Sequence, residues 1–206
     1  MKVVICANEE QWKELSAAST AVEWVRVGDG NSFAENTGAD AFIDLTENGI
    51  LPCYASLNEP VIINSVTRTL AAMQAPSNVV RINGWPGFLQ RPSWELAGRP
   101  GDAALALFAA LNKKINIVAD QPGLIAARII SMIINEAYYT VGDDVSSKNE
   151  IDTAMKLGTN YPFGPFEWAA AIGPRNILDL LKELNTTDKC YKPAPLLLEE
   201  LIPKHS

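Results

Sequence analysis

Short apolar, β-branched runs alternate with polar or helical segments through residues 1–119. Two helices are predicted among them, EEQWKELSAA after the first run and Asp102–Lys114, whose acidic start and basic end suit the helix dipole. Strands alternating with helices are typical of a mostly parallel α/β sheet. The predicted strands contain, in chain order, VVIC, VEWVRV, AFIDL, PVIINS, NVVRI and INIVAD.

From Asp120 onward the apolar positions follow a helical period. Within 124–141 they recur close to i, i+4, i+7, i+8 and i+12, which predicts a central and largely buried helix. Ser147–Glu150 has the pattern of a capping box and opens a helix that we expect to stop at Gly158. Further helices are predicted at 166–172 and 176–184. Pro122 and Gly123 break the strand pattern, so we predict an α/β domain over 1–119 and an all-α domain over 120–206.

Composition and charge narrow the class of protein. The chain is 48% hydrophobic and 20% charged, with a net charge of −7 and no basic block, which argues against binding to nucleic acid or to an anionic membrane. No apolar run reaches the ~18 residues that a membrane span needs. The start of the chain lacks the apolar core of a signal peptide. Cys6, Cys53 and Cys190 lack metal-ligand spacing and indicate buried thiols in a reducing compartment, so we expect no metal site and a cytoplasmic location.

Three segments of the second half have distinctive sequences: DQPGLIAARIISMIINEAYY at 120–139, IDTAMKLGTNYPFGPFEWAAAIG at 151–173 and YKPAPLLLEEL at 191–201. Together they resemble the C-terminal helical domain of the 3-hydroxyacyl-CoA dehydrogenase family. The resemblance implies an α/β plus all-α fold, with a reduced Rossmann-like domain followed by a helical domain that forms a homodimer in the family. The long apolar helix here supports the same expectation of a homodimer. We interpret Tyr161–Pro165 as a rigid turn between helices, in which Gly164 permits close passage.

The segment 79–95, VVRINGWPGFLQRPSWE, resembles the family's active-site loop, where a catalytic His is oriented by a Glu twelve residues later. The match puts Asn83 at the His and Glu95 at the Glu, while the family's catalytic Asn falls at Ala127. A Ser of another turn of the family corresponds approximately to Val66. An Asn amide cannot accept a proton at neutral pH, although it can hydrogen-bond a hydroxyl or a carbonyl. Loss of a general base typically costs ~10²–10⁴-fold in rate. The chain has a single histidine, His205, in its tail.

The family binds NAD, but the matching residues are largely missing here. A dinucleotide fold needs glycines between its first strand and first helix, because the backbone there approaches the pyrophosphate. The sequence CANEEQW has no glycine at this point and puts Glu9 and Glu10 where a phosphate would lie. Asp29 occupies the place of the ribose-binding acid, although a lone Asp in GDGN is more typical of a turn. The sequence therefore leaves the identity of the cofactor undecided, and it makes NAD binding doubtful.

Three functions are compatible with these residues. The first is a catalytically impaired family member that acts as a binding or structural protein in acyl-CoA or fatty-acid metabolism. The second is an active NAD-dependent oxidoreductase of 3-hydroxyacyl-CoA substrates, with Glu95 or a water held by Asn83 as base. The third is a different enzyme that uses the predicted loop Gly84–Arg99, with Trp85 and Trp94, as a new pocket. In that pocket an anion would meet basic side chains from Arg81, Arg91 and Arg99.

Overall fold

A computed structural model describes residues 1–16 and 21–202, so His205 lies outside the described residues. The chain forms two compact units, Met1–Leu124 and Ile125–Ser206. None of the described helices is long and apolar enough to cross a membrane.

The first unit contains a seven-stranded sheet in the order β2-β1-β3-β4-β5-β6-β7. Strands β1 to β5 are parallel, β6 is antiparallel to β5, and β7 is parallel to β6. The predicted mostly parallel sheet is confirmed. The strands are β1 (Lys2–Cys6), β2 (Glu23–Val27), β3 (Ala41–Asp44), β4 (Val61–Asn64), β5 (Val79–Ile82), β6 (Ser93–Ala97) and β7 (Lys114–Val118).

Strand β6 lies inside the segment that the sequence predicted to be a loop, and that prediction is wrong. Trp94 and Leu96 alternate towards the core and are almost fully buried, which is the period of a strand. Pro92 and the charged Glu95 obscure this short signal in the sequence. Helix α2 (Asp102–Ala110) ends earlier than predicted because Lys114 already belongs to β7.

The two faces of the sheet are covered differently. One face packs against α1 (Glu9–Ser16) and α2, with a core that includes residues of β1, β3, β4, β5 and β6. The other face is covered by short 3₁₀ helices at Gly30–Glu35 and Pro52–Ser56. There Phe33 packs with ring centroids 5.0 Å from Phe42 and 5.8 Å from Tyr54. Because this face is covered by short 3₁₀ helices, the Rossmann-like unit is small.

The second unit contains only helices. The capping box is confirmed, because the Ser147 hydroxyl accepts from the Glu150 N–H and the Glu150 side chain accepts from the Ser147 N–H. The predicted stop at Gly158 is wrong, since the helix runs on to Thr159 and ends at Asn160, which adopts a φ of 55° that asparagine tolerates. The helices are α3 (Ala126–Gly142), α4 (Lys148–Thr159), α5 (Pro165–Ile172), α6 (Pro174–Asn185) and α7 (Pro195–Glu200).

The turn between α4 and α5 confirms the expected close passage at Gly164. The buried Asp152 of α4 accepts a hydrogen bond of 2.8 Å from the Phe166 N–H at the start of α5. A Cβ on Gly164 would lie 2.3 Å from Asp152 Oδ1. The Gly164 N–H in turn donates to Glu167 Oε2 at 2.9 Å. Glycine at this position therefore lets the carboxylate of one helix cap the next.

Candidate functional site

The strand order reverses at β1, which has β2 on one side and β3 on the other. In open α/β sheets ligands bind outside the carboxyl ends of the strands at such a reversal. Here β1 ends at Cys6 and β3 ends at Asp44, which are register partners. A dinucleotide would therefore be expected beside these two residues.

The turn from β1 to α1 consists of Ala7 and Asn8 and is closed by side chains. Asn8 Oδ1 accepts from the Gln11 N–H at 2.9 Å, and Gln11 Oε1 accepts from the Asn8 N–H at 3.2 Å. Gln11 is buried, and its Nε2 donates to the carbonyl oxygens of Leu45 at 2.9 Å and Gly84 at 3.3 Å. A phosphate binds a helix N-terminus through free N–H groups and an open approach. Gln11 fills that approach from within the chain.

The acidic residues at this turn are also engaged. Glu9 Oε1 accepts from Arg26 Nη1 at 2.6 Å, and Arg26 Nη2 donates to the Ala7 carbonyl at 3.0 Å. Glu10 is exposed. The guanidinium of Arg26 at this turn is thus paired with the carboxylate of Glu9, which leaves less of its charge for an incoming phosphate.

Asp29 follows β2 and caps the first 3₁₀ helix. Its Oδ1 accepts from the Asn31 N–H at 2.8 Å and the Ser32 N–H at 3.3 Å. This is the turn role that the sequence GDGN suggested. Its assignment to cofactor binding stays a prediction.

Tyr54 closes the crevice at the end of β3, and sequence reasoning missed it. Its hydroxyl donates to Oδ2 of the buried Asp44, and burial together with this carboxylate raises the pKa of Tyr54 above its usual range. A Cβ on Gly30 would lie 2.8 Å from both Asp44 Oδ2 and the Tyr54 oxygen. Burial, with Asp44 and Asp29 nearby, raises the pKa of the Cys6 thiol to about 11. Space and charge at the strand reversal are therefore taken up by protein groups, and these residues do not fit the pyrophosphate of NAD.

Asn83 and Glu95 are brought together by the hairpin of β5 and β6. The antiparallel register pairs Arg81 with Ala97 and Ile82 with Leu96, so the next pair in that register is Asn83 and Glu95. Opposite residues of an antiparallel pair share a face of the sheet. The sequence expected Glu95 on a loop, whereas it lies within strand β6. The two positions expected from the resemblance are therefore neighbours.

The side chain of Asn83 is 6% exposed, and its amide is half satisfied. Its Oδ1 accepts from the Trp85 N–H at 3.1 Å, while its buried Nδ2 has no hydrogen-bond partner. An amide nitrogen cannot accept from an N–H, so the Trp85 N–H fixes which end of the amide is which. A buried donor without a partner costs roughly 1–3 kcal/mol. Such a group at the carboxyl edge of the sheet is a candidate ligand contact.

Two further polar side chains at this edge escaped the sequence reasoning. Asn64, the last residue of β4, accepts from the Gly84 N–H at 2.8 Å and is buried. Glu47 lies in the loop after β3 at a φ of 60°. Desolvation raises the pKa of its carboxyl, although hydrogen bonds with Trp85 and Asn64 and the charge of Arg68 oppose the rise. The sequence could have pointed to both residues, because each is a polar residue at or just after the end of a predicted strand.

Arg81, Trp85 and Trp94 do not line the pocket of the third hypothesis. Arg81 is fully buried, and its guanidinium donates to Asp120 Oδ1 at 2.6 Å and to the carbonyls of Ser65 and Gln121 at 2.8 and 2.7 Å. Trp85 and Trp94 are buried, and Trp94 packs edge-on against a helix residue of the core. Arg81 is therefore a structural residue, and the two indoles line no open pocket.

The remaining family positions carry no polar chemistry. Ala127 lies in the first turn of α3 in the helical unit and is fully buried. Val66, in the turn after β4, is buried too, and its carbonyl accepts from the Gly123 N–H at 2.8 Å. Among the described residues, no group of three or more His, Cys, Asp or Glu side chains is arranged to hold a metal ion.

Comparison with known proteins connects the helical half to a family. Residues 123–205 match the family model "3-hydroxyacyl-CoA dehydrogenase, C-terminal domain". The chain is 41% identical over 92 residues to 3-hydroxyadipyl-CoA dehydrogenase of Escherichia coli, which is 44% of this chain and 19% of that protein. It is 38% identical over 100 residues to 3-hydroxybutyryl-CoA dehydrogenase of Bradyrhizobium diazoefficiens, which is 48% of this chain and 34% of that protein. This half is therefore similar to the C-terminal domain of the 3-hydroxyacyl-CoA dehydrogenase family.

Solved structures of the family extend the likeness to the α/β unit at the level of fold. (S)-3-hydroxybutyryl-CoA dehydrogenase from Ralstonia eutropha superposes with a TM-score of 0.69 over 96% of this chain and 92% of that one, at 21% identity. 3-Hydroxybutyryl-CoA dehydrogenase from E. coli gives a TM-score of 0.58 at 31% identity, over 70% of this chain and 32% of that one. The chain thus has a Rossmann-type sheet followed by a helical domain, as these solved structures do. It spans only 19% and 34% of the two curated relatives above.

Proposed function

We propose that this chain is a catalytically impaired 3-hydroxyacyl-CoA dehydrogenase homologue that binds an acyl-CoA-type ligand in fatty-acid metabolism without transferring hydride. The observation that carries the proposal is the closed turn between β1 and α1. Gln11 occupies the approach that a pyrophosphate needs and is held there by Leu45 and Gly84. A hydride transfer without a bound nicotinamide has no acceptor.

The residue at the position of the family's base supports the same proposal. Asn83 does not titrate near neutrality and has its oxygen committed to the Trp85 N–H. A proton acceptor is required when a secondary alcohol is oxidised. Holding a ligand oxygen is the chemistry left to this side chain.

An active NAD-dependent oxidoreductase is the alternative, favoured by the neighbouring positions of Asn83 and Glu95 in the hairpin register. Glu95 is only partly buried and would have to act as base in place of the missing His. The two functions differ in whether NAD binds at all.

We also propose a cytoplasmic homodimer that assembles through the helical unit. Its support is the apolar surface of α3, where Ile125 and Ile129 are about half exposed, at 50% and 52%. Exposed apolar surface of this kind favours association with a like surface. The three cysteines are free, which fits a reducing compartment.

The test is a thermal-shift titration with NAD, NADH and acetoacetyl-CoA, each alone and at millimolar concentration. A ligand that binds only the folded chain stabilises it by about 2.7 kcal/mol at a hundredfold excess over Kd. We expect a rise in Tm with acetoacetyl-CoA and no change with either nucleotide. A clear rise in Tm with NAD or NADH would instead favour the active oxidoreductase. No rise in Tm with acetoacetyl-CoA would contradict the proposal that the chain binds an acyl-CoA-type ligand.

A further inference from the structure

We propose that Gln11 is the residue that excludes a dinucleotide from this chain, because its side chain takes the place that the ligand would occupy across the strand ends. This role rests on the proposed function, in which NAD does not bind, and it names the side chain responsible. Several departures from a nucleotide-binding turn coincide at the end of β1, and the hydrogen bonds of the α/β unit single out one of them.

Gln11 belongs to a closed network of buried amide groups. Its Nε2 donates to the carbonyl oxygens of Leu45 at 2.9 Å and Gly84 at 3.3 Å. The side chain of Asn64 contacts the same two residues, since its Nδ2 donates to the Leu45 carbonyl at 3.4 Å and its Oδ1 accepts from the Gly84 N–H at 2.8 Å. Gln11 and Asn64 are both buried. Two side-chain amides, one from α1 and one from β4, thus close a ring of hydrogen bonds.

This network lies where an open α/β sheet holds its ligand. Leu45 directly follows β3, Asn64 is the last residue of β4, and Gly84 lies two residues beyond β5. Ligands of such sheets bind outside these carboxyl ends of the strands. The amide of Gln11 already bridges two of the ends, and displacing it would leave two buried carbonyl groups without this donor. The protein's own hydrogen bonds therefore compete directly with a ligand.

The other unusual groups at the strand reversal are directed elsewhere. Glu9 is paired with Arg26, so its charge is partly neutralised. Tyr54, which bonds Asp44, belongs to the core on the face of the sheet that carries the 3₁₀ helices, whereas α1 packs on the other face. Gln11, by contrast, lies between α1 and the strand ends. Its side chain is the group that a pyrophosphate beside this helix would meet.

The experiment measures NAD binding to the full chain and its variants by ligand-observed NMR titration. We expect Gln11→Gly, which removes the side chain, to bind NAD at least about tenfold more tightly than the unaltered chain does. Gln11→Met loses the same hydrogen bonds but keeps a side chain of similar length, so it should be less stable without gaining NAD binding. Gln11→Ala should show the same gain as the glycine variant and serves if glycine prevents folding. The Gly87 N–H, which donates to Glu14 Oε1 at 2.8 Å, still holds α1 in these variants.

Two controls separate an opened phosphate position from other causes of binding. Glu10→Gly introduces a glycine at the neighbouring exposed residue and should gain no affinity for NAD. Adenosine, which lacks the phosphates, should bind Gln11→Gly no better than it binds the unaltered chain. An equal gain with adenosine would overturn the assignment of Gln11 to the place of the pyrophosphate.

The remaining outcomes distinguish this role from the proposed function. No gain in NAD binding by Gln11→Gly or Gln11→Ala would overturn the role of Gln11 and leave the proposed function intact. A gain in Gln11→Met equal to that in Gln11→Gly would overturn it too, because lost hydrogen bonds rather than opened space would then be the cause. Binding of NAD to the unaltered chain as tight as to Gln11→Gly would remove the proposed function together with this role.

Discussion

Single residues of this chain are most constrained where two backbone segments pass close together. At the turn between α4 and α5 the carboxylate of Asp152 accepts from the Phe166 N–H of α5, and Gly164 lies close beside this carboxylate. Gly158, six residues earlier in the chain, has no atom within 4 Å of a Cβ built on it. An added Cβ therefore has room at Gly158 but not at Gly164.

We expect Gly164→Ala to destabilise the chain by roughly 1–3 kcal/mol, because the added Cβ displaces Asp152 and with it the cap of α5. The matched change Gly158→Ala, inside an exposed stretch of α4, should instead stabilise by about 0.5–1 kcal/mol. Urea unfolding of both variants measures the difference. Equal stabilities for the two variants would show that the close contact at Gly164 is relieved at no cost.

At the scale of elements, Arg81 connects parts of the α/β unit that the chain keeps far apart. Its guanidinium joins β5 to the turn after β4 and to Asp120, which follows β7. Asp120 also accepts from the N–H groups of Leu70 and Ala71, both at 3.1 Å. Although partial burial alone would raise it, the pKa of Asp120 is held below its ordinary value by Arg81 and these two N–H groups.

Replacing Arg81 by Met should cost about 3 kcal/mol, since the carboxylate of Asp120 loses its partner and two backbone carbonyls lose a donor. The contribution of Asp120 is fully present above its unfolded pKa of ~3.9 and is lost as pH falls through the depressed folded value. The deficit of the variant should therefore be largest near pH 7 and shrink in acid, as followed by urea unfolding at several pH values. Arg175→Met, at an exposed pair with 4.0 Å between Nε and Asp179 Oδ2, is the control and should cost under about 1 kcal/mol. A deficit for Arg81→Met that stays constant down to pH 3 would contradict this role of Asp120.

At the scale of the whole molecule, the property to test is self-association into a homodimer. The helical unit exposes apolar side chains on α3 and also around the turn after α4, where Tyr161 and Phe163 are 42% and 43% exposed. The proposed homodimer would cover such a surface, and a single charge placed within it should be costly to bury.

Ile129→Glu should shift the chain from dimer to monomer, as measured by size exclusion with light scattering at micromolar concentration. Val145→Glu, at a position 72% exposed beyond the end of α3, introduces the same charge and should leave the dimer intact. A monomeric unaltered chain would overturn the proposed dimer, and loss of dimer in the Val145 variant alone would move the interface away from α3.

The sequence by itself determined the elements whose signal is local. Apolar runs and helical periods predicted the first five strands, α1 and the change to helices, because these patterns depend on neighbours along the chain. The capping box could likewise be read directly from residue types. The assignment of Asn83 to the position of the family's base rests on the resemblance and stays a prediction.

Only the tertiary structure decided the contacts between distant residues. Gln11 closes the β1–α1 turn by bonding Gly84, 73 positions away, and Arg81 pairs with Asp120, 39 positions away. The antiparallel β6, which makes Asn83 and Glu95 neighbours, was too short and too charged to be recognised from its sequence. Strand register and the hydrogen bonds of buried side chains arise from packing between elements. A single sequence does not indicate which residues far apart in the chain will come into contact.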